Sequence, residues 1–485
     1  MVRHRRRLDR GGRHRLYLHA FYHGGVRDRS AVDDPQLCQP VGRRRRKRAE
    51  AADEGQGQLD PDPRPRRAVR PVRRAAGGVA VHALRRRHLQ RPRSGLLRRI
   101  SILGATGSIG QSTIDLIRRD PGAYDVVALT GGCNAKLLAK DAKDLRADVA
   151  VVDSAECFAE LTDLLAGTGI EVACGAAAIA DAARRPADWI MSAIVGAAGL
   201  PPGMAALEQG TTLALANKES LVTAGPLLLS TAARHGATIL PVDSEHSAVF
   251  QAMVGEDISA VERIVITASG GAFRDWPLER LKTATLAEAS SHPNWAMGQR
   301  ITIDSASMFN KALELIETKE FFGIAPEKIE ALVHPESLIH ALVGFNDGAL
   351  MAHVGPPDMR HAIGYALHWP DRRHLPVARL DLAQIGQLTF RAPDEARWPA
   401  LRLAREVMAA GGLMGAVFNA AKEAALDAFI AGRIGFMDMS GVVEDALAKL
   451  SAQGGQHNAP IDLHTIMDID RLTRSRVAES LKYRG

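Results

Sequence analysis

Cysteines are scarce in this sequence, which has four of them among 485 residues. Cys38, Cys133, Cys157 and Cys174 show no CxxC spacing, so the sequence predicts neither a zinc motif nor a disulfide framework. Such sparse cysteines are typical of a reducing compartment, and we expect a cytoplasmic location. Long apolar runs are also lacking: no stretch of about 18 residues is suited to cross a membrane, so we expect no membrane partner.

Acidic residues are scarce in the first hundred residues and abundant after them. Residues 1–100 contain 28 Lys and Arg against 9 Asp and Glu, whereas the remainder contains 34 against 46. The net charge of +7 therefore originates in the N-terminal segment. Because the rest of the chain is acidic, we expect no nucleic acid as the partner of the folded region.

Residues 1–97 form an Arg-rich leader without helical or strand periodicity. One interpretation is a basic arm that binds nucleic acid. A transit peptide is a second, but it should be poor in acids and rich in Ser. The third is an extension translated from upstream DNA, which we favour because composition changes near Ile100 and no Met lies between Met1 and Met191. No apolar segment follows the basic start, which excludes a secretory signal.

A glycine-rich turn opens the acidic region. Residues 100–103 form a short apolar strand, residues 104–110 read GATGSIG, and residues 111–118 have helical periodicity. Strand, glycine turn and helix are the context in which a backbone approaches a pyrophosphate and a helix N-terminus donates N–H groups to it. The GxxGxxG spacing departs from GxGxxG, and a tight turn without a ligand remains the alternative.

Apolar strands then alternate with helix-like segments. This pattern predicts a doubly wound parallel sheet with helices on both faces, and ligands at the carboxyl ends of its strands. The predicted strands after the first are residues 125–129, 148–152, 189–193, 212–216 and 238–241.

No carboxylate follows the second strand, where NAD enzymes place one to bind the ribose 2′-OH. The sequence there is Gly131-Gly132-Cys133-Asn134. The absence favours NADPH, whose 2′-phosphate a carboxylate would repel. Its expected basic partner is not obvious, and Lys136 is one candidate.

Polar side chains follow later strands of the same pattern. Asp243 and Glu245 come after residues 239–241 and would point to one side of an extended chain, as suits a hard divalent cation. The alternative is an N-cap and the first turn of a helix. The Ser269-Gly270-Gly271 turn, after a strand at 263–267, is either a phosphate site or a plain turn.

Residues 292–317 are also rich in polar side chains. Asp304 or Ser305 is a candidate cap for a helix on which Asn310 and Glu314 share a face at i and i+4. Trp295 and its neighbours are typical of a mobile lid over a ligand.

These segments together resemble the 1-deoxy-D-xylulose 5-phosphate reductoisomerase family, in order along the chain. The resemblance covers nearly all of residues 99–485. It is carried by GATGSIG at 104–110, ANKE at 216–219, VDSEHS at 242–247, SGG at 269–271, HPNW at 292–295, DS at 304–305, NKxxE at 310–314, HPES at 334–337 and GPPDMR at 355–360.

The resemblance implies an enzyme that rearranges a keto-sugar phosphate and reduces the product with NADPH to 2-C-methyl-D-erythritol 4-phosphate, for isoprenoid precursors. It also implies a homodimer. Metal ligands for Mg²⁺ or Mn²⁺ would be Asp243, Glu245 and Glu314. Catalytic residues would be these three with Lys218 and Glu219. Substrate contacts would be Lys218, Ser244, Glu245, Ser269, His292, Ser305, Asn310, Lys311 and Glu314. The NADPH site would include Thr106, Gly107, Ser108, Ile109, Gly132, Cys133, Asn134, Asn217, Glu219 and Gly298, with Trp295 as the lid.

Two positions depart from the family pattern. The family often has Lys or Arg where Cys133 stands, so a weaker grip on the 2′-phosphate is expected. Near the C-terminus the pattern Asn-Ala-Ala-Asn-Glu becomes Asn419-Ala-Ala-Lys422-Glu423.

The expected organisation is an α/β fold with a Rossmann-like NADPH domain, a central α/β catalytic domain whose sheet forms the dimer, and a C-terminal α-helical domain. The predicted boundaries are 1–97 for the leader, 98–247 for the NADPH domain, 248–373 for the catalytic domain, 374–395 for a linker and 396–485 for the helical domain.

Two other functions would account for parts of the sequence. An aspartate-semialdehyde-type dehydrogenase shares the glycine turn, but it needs a nucleophilic cysteine in its second domain, and no cysteine follows Cys174. The second alternative is a nucleic-acid-binding protein that uses the leader. Its binding should depend steeply on salt concentration.

Overall fold

The computed structural model describes residues 97–294, 298–452 and 461–482, all within one compact unit, Arg73–Gly485. The predictions for residues 1–96 and for Trp295 lie outside these residues. Among the helices of the described ranges, none is both long enough and apolar enough to cross a membrane.

The first sheet carries the N-terminal half of the described chain. Its strands are β1 (Arg98–Leu103), β2 (Tyr124–Gly131), β3 (Val149–Val152), β4 (Glu171–Cys174), β5 (Trp189–Ser192), β6 (Thr212–Leu215) and β7 (Thr238–Pro241). All pair in parallel, in the spatial order β4-β3-β2-β1-β5-β6-β7. The order reverses between β1 and β5, and in such sheets a ligand crevice opens at the carboxyl ends of the strands at that point.

Helices follow these strands and give the doubly wound fold that the sequence predicts. They are α1 (Ser108–Arg118), α2 (Ala135–Leu145), α3 (Phe158–Leu165), α4 (Ala176–Ala183), α5 (Leu200–Glu208), α6 (Lys218–His235) and α7 (Ser244–Ala252). The strands β3 and β5 are buried throughout, as expected for a parallel sheet covered on both faces.

The edge strand β4 is absent from the sequence-based list of strands. Its four residues, Glu171–Cys174, are exposed or half-buried. An edge strand needs no continuous apolar run, because only one of its sides pairs with a neighbour. The periodicity therefore gives too little signal to find it.

A second, four-stranded sheet follows, with β8 (Val261–Ala268), β9 (Ile329–Val333), β10 (Ile339–Phe345) and β11 (Leu350–Val354). Its order is β11-β10-β8-β9, with β8 and β9 parallel and β10 antiparallel to both neighbours. The accompanying helices are α8 (Leu278–Leu281), α9 (Leu286–Ala289), α10 (Gln299–Ala306), α11 (Phe309–Phe322) and α12 (Arg360–His368).

The C-terminal part is helical, as predicted. Its helices are α13 (Leu382–Ile385), α14 (Pro399–Ala410), α15 (Met414–Ile430), α16 (Asp438–Ala452) and α17 (Leu463–Leu481). The apolar stripe of α14, with Leu401, Leu403, Ala404 and Val407, is buried. The central helix α15 packs against α16 and α17, and also against α6 of the first sheet.

One pair of cysteines lies within reach of a disulfide, although the sequence predicts no disulfide framework. Cys133 and Cys157 are 24 positions apart in sequence, and their Cα atoms lie 5.5 Å apart. One follows β2 and the other follows β3, and these strands are parallel neighbours. Sequence spacing gives no sign of the pair, because the sheet and not a local motif brings the two residues together. Cys174 is free.

Candidate active site

One cavity of about 930 Å³ lies at the carboxyl ends of strands from both sheets. It receives residues that follow β1, β5, β6, β7 and β8, together with residues of α10, α11 and α15. Most of the predicted site residues line it: Ser108, Ile109, Asn217, Lys218, Glu219, Asp243, Ser244, Glu245, Ser269, His292, Gly298, Ser305, Asn310, Lys311 and Glu314.

Five predicted cofactor residues do not line this cavity, namely Thr106, Gly107, Gly132, Cys133 and Asn134. They lie in the turns after β1 and β2, which adjoin each other because the Ala105 N–H donates to the Thr130 carbonyl at 2.7 Å. The turn after β2 is exposed, and no carboxylate stands in it. Lys136 is also exposed and lies 3.8 Å from Glu160.

The glycine turn brings backbone groups close to one another. Gly104 has φ +88°, and a Cβ there would meet the Ala193 carbonyl oxygen at 2.6 Å. A Cβ at Gly110 would meet the Ala105 carbonyl oxygen at 2.5 Å. Only glycine fits at these two positions, since one has a left-handed φ and the other packs helix α1 directly on the turn. The N-terminus of α1 is therefore open to a ligand, with no side-chain cap on its N–H groups.

Three carboxylates converge at the other end of the cavity. Asp243, Glu245 and Glu314 each have an oxygen within 4.8 Å of the others. Asp243 is the N-cap of α7, and its side chain accepts the Glu245 N–H at 3.1 Å. The N-cap geometry, which is the alternative to a cation site in the sequence analysis, is therefore present. It does not exclude a cation site, because the cap and the first turn both face Glu314 on α11.

Two lysines neutralise this group of carboxylates. The Lys218 ammonium donates to Asp243 and to Glu314, each at 2.7 Å, and to the side-chain Oδ1 of Asn310 at 2.9 Å. Lys311 donates to Glu245 at 2.7 Å and to Glu314. Both lysines are buried. Buried charges persist only when paired in this way.

The carboxylates of this group differ in their pKa values. Burial opposes the charge of Asp243, but Lys218 and His246 hold its pKa well below the usual value. Burial and the nearby Glu314 raise the pKa of Glu245 to about 7. Burial opposes the charge of Lys218 too, yet Asp243 and Glu314 keep its pKa well above the usual value. The site can therefore exchange a proton at Glu245 when a cation arrives.

His246 and Glu317 form a layer behind Asp243, which the sequence analysis did not assign. The His246 Nδ1 lies 3.1 Å from Asp243 and 3.3 Å from Glu317, and its Nε2 lies 3.0 Å from the Glu314 carbonyl and from the Thr318 hydroxyl. Burial opposes the imidazolium form, but Glu317 and Asp243 raise the pKa of His246 to about 9. The signal in the sequence was spacing, since His246 follows Asp243 by three residues and Glu317 follows Glu314 by three.

Helix α10 ends at the cavity, and α11 does not begin where the sequence predicts. Asp304 and Ser305 lie in the last turn of α10, and so they do not cap α11. Met308 adopts a left-handed φ of +62° and is the N-cap of α11. Asn310 and Glu314 do share a face, as predicted, and their side chains are hydrogen-bonded.

The Ser269-Gly270-Gly271 turn faces this helix end. The Ser269 hydroxyl lies 3.0 Å from the His292 Nε2 and accepts the Gly271 N–H at 3.1 Å. Burial, followed by the charge of Arg274, lowers the pKa of His292 to about 4. Serine hydroxyls, a neutral imidazole and turn N–H groups are suited to bind an anion.

Asn217 and Glu219 line the cavity between its two ends. The Asn217 amide donates to the Ile194 carbonyl at 2.7 Å, to the Gly196 carbonyl at 3.0 Å and to Glu219 at 2.9 Å. Its oxygen caps α6 by accepting the Ser220 N–H at 3.0 Å. Burial raises the pKa of Glu219. Lys422 and Glu423, which sequence reasoning left without a role, also line the cavity.

Three family models match the chain. One described as 1-deoxy-D-xylulose 5-phosphate reductoisomerase matches residues 100–225. Models of C-terminal domains of the same enzyme match residues 239–322 and 354–476.

Similar proteins cover the same region of the chain. A 1-deoxy-D-xylulose 5-phosphate reductoisomerase of Ruegeria pomeroyi is 71% identical over 80% of this chain and 98% of its own. One from Jannaschia is 69% identical over 78% of this chain and 96% of its own. The solved structure of the reductoisomerase from Zymomonas mobilis in complex with NADPH is 45% identical, with a TM-score of 0.74, over 80% of this chain and 99% of that chain. Another reductoisomerase, in complex with NADPH, fosmidomycin and magnesium, is 38% identical with a TM-score of 0.75, over 80% and 98% of the two chains.

Proposed function

Since the chain belongs to the 1-deoxy-D-xylulose 5-phosphate reductoisomerase family, we propose that it converts 1-deoxy-D-xylulose 5-phosphate into 2-C-methyl-D-erythritol 4-phosphate with NADPH and Mg²⁺ or Mn²⁺. This product serves isoprenoid precursor synthesis by a route that does not use mevalonate. The observation that carries the proposal is one cavity with the N-terminus of α1, directly after the glycine turn, at one end, three carboxylates at the other and a Ser/Gly turn beside them.

The donor set fits a hard divalent cation. Asp243, Glu245 and Glu314 offer oxygen atoms that lie within 4.8 Å of one another, and Mg²⁺ and Mn²⁺ prefer oxygen ligands. When bound there, such an ion polarises a carbonyl and a neighbouring hydroxyl. Lys218 and Lys311 now compensate the carboxylates, and we propose that they turn toward substrate oxygens when the ion takes over that charge.

The glycine turn fits the pyrophosphate of NADPH. A Cβ at Gly104 or Gly110 would collide with backbone atoms, and the α1 N–H groups lack a side-chain cap. We assign Thr106, Gly107, Ser108 and Ile109 to the pyrophosphate side. Gly132, Cys133 and Asn134 would lie at the adenosine end, with Asn217, Glu219 and Gly298 toward the nicotinamide.

The remaining residues orient the substrate. Ser269, His292, Ser305, Asn310 and Lys311 surround the position proposed for the phosphate. Ser244 and Glu245 would hold the carbon skeleton between this phosphate and the metal, so that the migrating bond faces the nicotinamide. Exclusion of water from this cavity would favour hydride transfer.

We further propose a cytoplasmic homodimer with the domain boundaries predicted from the sequence. Strand β11 is the edge of the second sheet, and Leu350, Met351 and Val354 on it are exposed. An exposed apolar edge strand is suited to pair with a second copy. Sedimentation velocity should give twice the monomer mass for the wild type, and a monomer for Met351→Lys. A wild-type monomer would contradict the dimer.

The test of the reaction is NADPH oxidation with 1-deoxy-D-xylulose 5-phosphate, followed with and without Mg²⁺ or Mn²⁺. Both the full chain and a protein of residues 98–485 should turn over only with the metal. The matched control replaces the substrate with unphosphorylated 1-deoxy-D-xylulose, which should react poorly because Ser269 and Ser305 lose their ligand. Folded protein that binds NADPH but does not turn over would contradict the proposed substrate.

A further inference from the structure

Lys422 brings a buried positive charge from the C-terminal helices to the cavity. It lies on α15, with 3% of its surface exposed, and is one of the lining residues. The described residues of α14, α16 and α17 line no part of this cavity. The ammonium group of Lys422 is therefore a direct connection from the helical region to the site.

The partner of Lys422 is Asp304, near the end of α10. The ammonium donates to the Asp304 carboxylate at 2.9 Å, and Asp304 is buried as well. Burial opposes the charge of Lys422, yet Asp304, Glu219 and Glu423 hold its pKa above the usual value. A buried ion pair of this kind tolerates little displacement of either member, because separation leaves a buried charge without its partner.

The end of α10 is fixed on its other side by the Ser/Gly turn. A Cβ at Gly271 would meet the Ala306 nitrogen and the Ser305 carbonyl oxygen, each at 2.7 Å. Backbone therefore packs on backbone there. Ser305 lies in the segment between this contact and the Lys422–Asp304 bond.

We propose that Lys422 is a positioning residue, which acts through Asp304 to hold the end of α10, and with it Ser305, against the Ser269-Gly271 turn. The inference rests on the proposed function, because it assigns the substrate phosphate to this place. Lys422 does not contact the phosphate itself, since its ammonium group is committed to Asp304. The helical region thus sets the width of the phosphate pocket.

The experiment compares wild type, Lys422→Met and Lys422→Arg in the full chain. The KM and kcat for 1-deoxy-D-xylulose 5-phosphate are measured at saturating NADPH and Mg²⁺. The Kd of NADPH is measured by fluorescence and that of inorganic phosphate by calorimetry. We expect Lys422→Met to raise the KM and weaken phosphate binding by about tenfold, because displacement of a binding group weakens its contacts. The kcat and the NADPH Kd should stay within about twofold, and Lys422→Arg should recover most of the loss.

Arg402→Met is the control for loss of a cation from the helical region. Arg402 pairs with Glu406 and Glu444 and does not line the cavity, so its KM should match that of the wild type. Unchanged KM and phosphate affinity in Lys422→Met would overturn the inference. Equal losses of NADPH and phosphate binding would also overturn it, since they indicate a general structural role.

Asp304→Leu is the test if circular dichroism shows that Lys422→Met is unfolded. It removes the acceptor of the same bond with a side chain of similar size, and a KM equal to that of the wild type would contradict the inference. If the wild-type protein shows no turnover, the proposed function is contradicted instead. The inorganic phosphate titration still tests Lys422 in that case.

Discussion

The two ends of the cavity recognise their proposed ligands by different means. The carboxylate end consists of ionised side chains, Asp243, Glu245 and Glu314, compensated by Lys218 and Lys311. At the glycine end, Ser108 and Ile109 of α1 line the cavity, Gly104 and Gly110 let the backbone pack without side chains, and the α1 N-terminus has no side-chain cap. Ligand recognition depends on charge at the carboxylate end and on shape at the glycine end. Substitutions that change charge and substitutions that change volume should therefore have separate effects.

The largest effect is expected from Glu314→Gln at the carboxylate end. This residue is a proposed metal ligand and accepts from both lysines, so its loss should lower kcat/KM by about 10³-fold, as expected when several kcal/mol of metal assistance is lost. The measurement is steady-state NADPH oxidation at saturating Mg²⁺. The NADPH Kd should not change, because the glycine end is intact.

The matched control is Glu320→Gln, on the same helix but paired with Lys319 outside the cavity. It should keep the activity of the wild type. Equal activity of Glu314→Gln and wild type would remove Glu314 from the metal site and weaken the contrast between the two ends.

The carboxylate end should also make stability depend on pH. The pKa of His246 is raised from 6.5 to about 9, so its contribution to the metal-free protein is fully present below pH 6.5 and is lost as pH rises through 9. We expect the free energy of unfolding to fall by about 2 kcal/mol between about pH 7.5 and about pH 9.5. This window lies above the pKa values of Glu245 and Glu317, which burial raises to about 7.

Denaturant unfolding of His246→Gln at both pH values measures this contribution. The decrease in unfolding free energy should become much smaller than in the wild type. His235→Gln, at the end of α6 and away from the cavity, is the control and should keep the slope of the wild type. An equally steep slope in His246→Gln would assign the pH dependence to other groups.

NADPH binding at the glycine end should weaken when the volume of a side chain increases, even if the charge does not change. In Gly110→Ala the added methyl meets the Ala105 carbonyl, so the turn must shift and the NADPH Kd should rise about tenfold, in line with the cost of overpacking. Gly122→Ala, where a methyl meets nothing within 4 Å, is the control. Mg²⁺ affinity, measured by calorimetry, should be equal in both variants. Unaltered NADPH binding in Gly110→Ala would argue that the turn is not the pyrophosphate site.

The smallest effect is expected where the glycine end lacks charge. Cys133→Arg should strengthen NADPH binding by about fivefold, which is the upper range for one exposed ion pair. NADH binding should stay the same, since NADH has no 2′-phosphate. Cys157→Ser removes any bond to Cys133 without adding charge, and so controls for the loss of such a bond in Cys133→Arg. Equal gains for NADPH and NADH would mean that Cys133 does not face the 2′-phosphate.

Part of this site could be predicted from the sequence because several of its motifs directly follow a strand. Asp243 follows β7 and Ser269 follows β8, and strand ends of this kind meet at one cavity. Residues that connect elements far apart in the sequence could not be predicted in this way. Lys422 contacts Asp304 across 118 residues, and no local spacing indicates such a pair. The break at Met308 was missed too, because a left-handed φ at a non-glycine residue is set by packing.

The most direct test of the charged end is the position of a bound ion. Crystals grown with Mn²⁺ and measured at its absorption edge should show one strong anomalous peak, at the roughly 2.0–2.6 Å of hard-cation–oxygen contacts from Asp243, Glu245 and Glu314. The Lys218 ammonium should have moved away from Asp243. A peak elsewhere, or none beside these carboxylates at a saturating concentration, would contradict the assignment of the metal to this end of the cavity.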